Sequence, residues 1–108
     1  MLRNRVLRLF QYPAGVWQTS VYYQFSGKVG PSGLACGKDG TLYVGRFEPS
    51  TCTAEETAGT VSVISPNGTL ATEISIPGPA VEGIALSDDE TCLYVTESST
   101  KCVYKVSL

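Results

Sequence analysis

Apolar residues in this chain come in short runs cut by turn residues, and no window sustains a 3.6-residue period. Arg5-Val6-Leu7-Arg8-Leu9, Thr60-Val61-Ser62-Val63-Ile64 and Cys102-Val103-Tyr104-Lys105-Val106 each read as a strand. Leu42-Tyr43-Val44 and Leu93-Tyr94-Val95 are apolar throughout, which predicts strands covered on both faces. Lys38-Asp39-Gly40, Pro66-Asn67-Gly68 and Asp88-Asp89-Glu90 each sit between two such runs, as hairpin connections do. The pattern predicts nine strands, near 4–10, 19–25, 33–37, 42–47, 60–65, 70–76, 83–87, 92–97 and 101–107. Glu48 to Gly59, with Pro49, Ser50, Glu55 and Glu56, reads as a long polar surface loop.

The runs recur. Gly33-Leu34-Ala35, followed by Asp39-Gly40-Thr41-Leu42-Tyr43-Val44, aligns with Gly83-Ile84-Ala85, followed by Asp89-Glu90-Thr91-Cys92-Leu93-Tyr94-Val95, the later turn being one residue longer. A second echo links residues 5–9, 60–64 and 102–106 in the same order. A period near 50 residues in a strand-rich chain is the range of four-stranded propeller blades. Counted outward from a central channel, residues 4–25 supply the outer two strands of one blade. Residues 33–76 form a complete blade, and residues 83–107 supply the inner three strands of the next. Because propellers close with about four to eight blades, one chain does not close a ring. The strands at Leu42–Phe47 and Thr60–Ser65, flanked on both sides, are expected to be the most buried.

Composition agrees and narrows the chemistry. Val, Thr, Ile, Tyr, Phe and Trp make up a third of the 108 residues, with 11 Gly and 6 Pro between them. Eight Lys+Arg against ten Asp+Glu leave no excess for a nucleic-acid backbone or an anionic membrane, and no apolar stretch is long enough for a membrane helix. With no histidine, neither a Ser-His-Asp nor a Cys-His nucleophile can be built from the chain. Cys36, Cys52, Cys92 and Cys102 contain no C-x-x-C pair, so a thiolate zinc site is not expected. They allow three disulfide pairings, but small reduced fillers are the favoured reading. The opening Met1-Leu2-Arg3-Asn4-Arg5 lacks a secretory apolar region, which points to a cytoplasmic setting.

The motifs Asn4-Arg5-Val6-Leu7-Arg8, Gly30-Pro31-Ser32-Gly33-Leu34-Ala35, Asp39-Gly40-Thr41-Leu42-Tyr43-Val44, Gly59-Thr60-Val61-Ser62-Val63 and Glu82-Gly83-Ile84-Ala85 with Leu93-Tyr94-Val95-Thr96-Glu97 cover nearly the whole chain. In order and spacing they resemble the C-terminal part of the senescence-marker-protein/gluconolactonase family, which includes regucalcin, sugar lactonases and strictosidine-synthase-like relatives. The resemblance implies antiparallel four-stranded blades, about two blades of a six-bladed propeller. It also implies a divalent cation, Ca²⁺ or Mg²⁺, in the central channel, polarising a lactone carbonyl and activating water. By the same resemblance the channel-facing metal positions are Glu82 and Ser32. Ser32 stands where the family carries an Asp, and a neutral hydroxyl is a poorer ligand for a hard cation.

Two functions follow as expectations. One is a lactonase-like metal hydrolase to which this chain contributes part, inactive as a single chain. The other is a non-catalytic propeller module for ligand binding or assembly. Either implies self-association, with a trimer supplying six blades, or missing blades from another chain. Asp39, Asp88 and Asp89 are expected to form turns, Arg3, Arg5 and Arg8 to decorate an outer strand, and Trp17 and Tyr22-Tyr23 to pack between blades.

Overall fold

The computed structural model describes residues 5–13, 15–25, 30–47 and 58–108. Among them are nine strands and no helix, so no helix long and apolar enough to cross a membrane. The strands are β1 (Arg5–Gln11), β2 (Trp17–Gln24), β3 (Gly30–Cys36), β4 (Leu42–Phe47), β5 (Ala58–Ile64), β6 (Leu70–Pro77), β7 (Val81–Leu86), β8 (Cys92–Glu97) and β9 (Cys102–Ser107). Each lies within a few residues of its expected place. The largest difference is β3, which begins at Gly30 rather than 33 because its pairing continues across an irregular step at Pro31. Most of the expected loop from Glu48, residues 48–57, lies outside the described residues, as does Arg3.

Every pairing is antiparallel and joins strands consecutive in sequence, giving sheets of two (β1-β2), four (β3-β4-β5-β6) and three strands (β7-β8-β9). The four-stranded sheet lies between the others. Because side chains alternate along a strand, β5 sends Val61 to one face and Ser62 and Ile64 to the other. On the first face Val61 and Ile76 pack with Val81, Leu93 and Val95 of the three-stranded sheet. On the second, Val44 and Ile64 pack with Val6 of β1 and with Phe25 just past β2. Val44, Val61, Ser62 and Ile64 are accordingly sealed from solvent, as expected for strands with a neighbour on each side.

Three hairpin turns use one device. Asp39 Oδ1 accepts the Thr41 N–H at 2.9 Å, Asn67 Oδ1 accepts the Thr69 N–H at 3.2 Å, and Asp89 Oδ1 accepts the Thr91 N–H at 3.2 Å. Asp39 and Asp89 thus form turns, and Asp88 supplies a backbone carbonyl to the Lys38 ammonium at 3.4 Å. The next residue must take a positive φ. Gly40 (94°) and Gly68 (86°) do so without steric cost, whereas Glu90 (58°) does so with a side chain.

The two-stranded sheet corrects one expectation. Tyr22 and Tyr23 pack against the second core cluster, but Trp17 is 62% exposed with Leu7, Leu9 and Val21 beside it in the open. The reason is geometric: Trp17, Val21, Leu7 and Leu9 belong to a sheet of two strands, part of whose surface no third sheet covers.

Candidate functional site

Ser32 and Glu82 occupy equivalent places on the first strands of adjoining sheets. At each, the pairing register slips, between Pro31 and Gly33 in β3–β4 and between Val81 and Gly83 in β7–β8. Both residues are therefore bulge residues, left out of the ladder, and a bulge re-aims the side chain it carries. The two bulges meet. A Cβ on Gly33 would stand 2.6 Å from the Glu82 carbonyl oxygen, so only glycine allows this approach.

The Ser32 hydroxyl donates to the Val81 carbonyl at 2.6 Å across the sheet boundary, and lies 3.2 Å from the Gly45 carbonyl within its own sheet. It ties the two sheets together at the level of Glu82. The Glu82 side chain is exposed on the neighbouring strand. The structure thus brings the backbones of both positions together and leaves one free carboxylate and one hydroxyl whose proton is engaged. A hard cation takes about six to eight oxygens, and among the described residues no three Asp, Glu, Cys or His side chains converge. The described donors of this chain do not by themselves make a complete cation site.

Among the described residues, a carboxylate that the sequence pattern did not single out is the most fully engaged one. Glu97, at the end of β8, is 1% exposed. Its Oε1 accepts the Ala80 N–H at 3.0 Å and the Ser99 N–H at 2.9 Å, together with the Ser99 hydroxyl. Its Oε2 accepts the Thr100 N–H at 2.8 Å and the Thr100 hydroxyl at 2.5 Å. Burial pushes its pKa up, but the Ser99 and Thr100 donors outweigh burial and hold it at about 2. Glu97 therefore locks the β6–β7 connection to the β8–β9 turn. The available signal was the run Glu97-Ser98-Ser99-Thr100, an acceptor followed by hydroxyl donors.

Glu90 was also missed. From its left-handed position its carboxylate reaches the neighbouring sheet and accepts the Lys38 N–H at 3.1 and 3.3 Å. With Cys36 and Asp88 it borders an open depression of about 300 Å³. The carboxyls of Asp39 and Asp89 are both held below the usual range: Asp39 chiefly by the Thr41 N–H, Asp89 chiefly by the Thr91 and Ser87 hydroxyls. These are turn carboxylates facing inward on their own loops. Cys36, Cys92 and Cys102 are free thiols. No protein-family model and no curated protein matches this sequence.

Proposed function

We propose that this chain is a segment of a β-propeller of the sugar-lactonase type, that it works only in assembly with further blades, and that on its own it is a binding and assembly module rather than a hydrolase. In this reading β3–β6 is a complete blade, β7–β9 the inner three strands of the next, and β1–β2 the outer two of the one before. The observation that carries it is the pair of equivalent bulges at Ser32 and Glu82, on touching first strands of consecutive sheets. Two first strands in contact, carrying the same bulge at one level, support consecutive blades around an axis. Glu82 then contributes one ligand to a divalent cation whose other ligands come from blades outside this chain, and Ser32 serves the sheet boundary. The chain's own donor set, one carboxylate and one engaged hydroxyl, favours assembly over catalysis.

The test is the mass of the particle in solution, read beside aldonolactone hydrolysis with added Ca²⁺, Mg²⁺, Mn²⁺ or Zn²⁺. The expected result is a particle of more than one chain, with no turnover by the single chain. A monodisperse monomer at tens of micromolar would overturn the assembly reading. Turnover by that monomer, lost in Glu82→Gln, would restore the hydrolase.

A further inference from the structure

Among the described residues β1 is bonded on one side only, to β2, so the N–H and C=O groups along its other edge have no strand partner there. Between that edge and the four-stranded sheet run two open grooves of about 280 and 250 Å³, both lined by Val6, Leu7 and Leu34. Leu34 is 53% exposed. Its repeat equivalent Ile84 lies against the four-stranded sheet and packs on the core there. The same first-strand position is thus covered at one sheet boundary and bare at the other. The open position has the dimensions of a hairpin, because β1 corresponds to the third strands β5 and β9, and among the described residues no first and second strand pair with its other edge.

Charge narrows what that hairpin must be. Arg8 borders one groove and Arg5 the other. Among the described residues the one ion pair is Arg46–Glu73, so neither arginine has a carboxylate partner there. The echo between residues 5–9 and 102–106 sets the register. Arg8 corresponds to Lys105, which faces Tyr94 across the β8–β9 pair, and Arg5 to Cys102, which faces Glu97. A second strand of the β8 pattern would therefore set an aromatic ring opposite Arg8 and a carboxylate opposite Arg5. Residues 81–97, the β7–β8 hairpin, carry Glu82, Asp88, Asp89, Glu90 and Glu97 and no Lys or Arg. The β3–β4 hairpin carries Lys38 and Arg46 against Asp39, and would set Arg46 opposite Arg5.

Resting on the propeller reading above, we infer that the free edge of β1 is a strand-addition site for an acidic β-hairpin of the β7–β8 pattern. Main-chain bonds to β1 give affinity, as in other strand additions. Leu7 and Leu34 are covered, and Arg5 and Arg8 select acidic hairpins over basic ones. In a second copy of this chain the β7–β8 hairpin already has β9 on its edge, which disfavours self-addition.

The probe is a labelled peptide of residues 81–97 with Cys92→Ser, titrated with the intact chain by fluorescence anisotropy. Saturable binding that weakens with added salt is expected, about tenfold weaker or more in Arg5→Glu/Arg8→Glu. Partial recovery is expected when the Glu97→Arg peptide meets Arg5→Glu. Should the double variant unfold, hydrogen exchange of the native chain replaces it, with peptide-dependent protection of β1 amides expected. Equal binding of a peptide of residues 30–47, or no added β1 protection, would overturn the inference. A chain that assembles but ignores the peptide sinks only this inference. A strict monomer that ignores both peptides sinks the propeller reading with it.

Discussion

Replacing Glu97 by Gln tests whether a carboxylate can act as a structural fastener in a fold this small. The wild-type group sits 1% exposed, with three N–H groups and two hydroxyls aimed at it. Its pKa falls from 4.5 to about 2 on folding. At about 1.4 kcal/mol per pH unit this corresponds to roughly 3–4 kcal/mol of stability at neutral pH. The adjoining turn, Ser98 to Lys101, is exposed, and solvent screening there brings the figure to roughly 2–3 kcal/mol. Glutamine keeps one acceptor oxygen but points an N–H₂ at donors, so at least one charge-assisted bond is replaced by opposed donors. Urea titration followed by circular dichroism at pH 7 should show Glu97→Gln less stable by that amount. The pH dependence supplies the second half. A carboxyl whose folded pKa is depressed stabilises fully above its unfolded value, and that contribution fades as pH falls from about 4.5 toward 2. Wild type should lose stability across this window, and Glu97→Gln should lose correspondingly less. A variant within about 0.5 kcal/mol of wild type at pH 7, with an unchanged acid slope, would refute the reasoning.

Gly33→Ala places a methyl 2.6 Å from the Glu82 carbonyl oxygen; separating the two first strands should cost about 1–3 kcal/mol in denaturant titration. Val44→Ala or Val61→Ala, each at 0% exposure, should cost about 1–3 kcal/mol through lost burial and a residual cavity, whereas Leu9→Ala, at a residue 63% exposed, should stay within about 0.5 kcal/mol; equal effects at these sites would count against the sheet order.

The strands were legible because two signals agreed at each of them. Apolar runs such as Leu42-Tyr43-Val44 and Leu93-Tyr94-Val95 marked the strands, and the Asx-containing turns marked their ends. Those turns are local: a side chain two residues from the N–H it accepts can be read from spacing alone. The bulges at Ser32 and Glu82 are a different matter. The repeat made their equivalence visible, but a slipped register depends on which partner residue each strand meets, and single-strand patterns do not record that. Glu97 and Glu90 escaped for the same reason. Both act on groups distant in sequence, Ala80 for one and Lys38 for the other. Trp17 misled because aromatic residues signal packing only where a surface exists to pack on.

All strand pairing here is between sequence neighbours, and this has a consequence for how the molecule comes apart. Among the described residues no backbone ladder joins one sheet to another, and the boundaries are held by side chains and a few bonds such as Ser32 to Val81. Coupling along the chain is therefore nearest-neighbour, as in solenoids, with each sheet a link that can open at its boundary while its own ladder survives. Amide exchange should then be graded by position in the stack rather than uniform, slowest in β4 and β5 and fastest in β1, β2 and β9. Duplication or loss of one such link leaves the hydrogen bonding of the rest intact, so a chain of this kind can change length by whole sheets without redesigning those that remain.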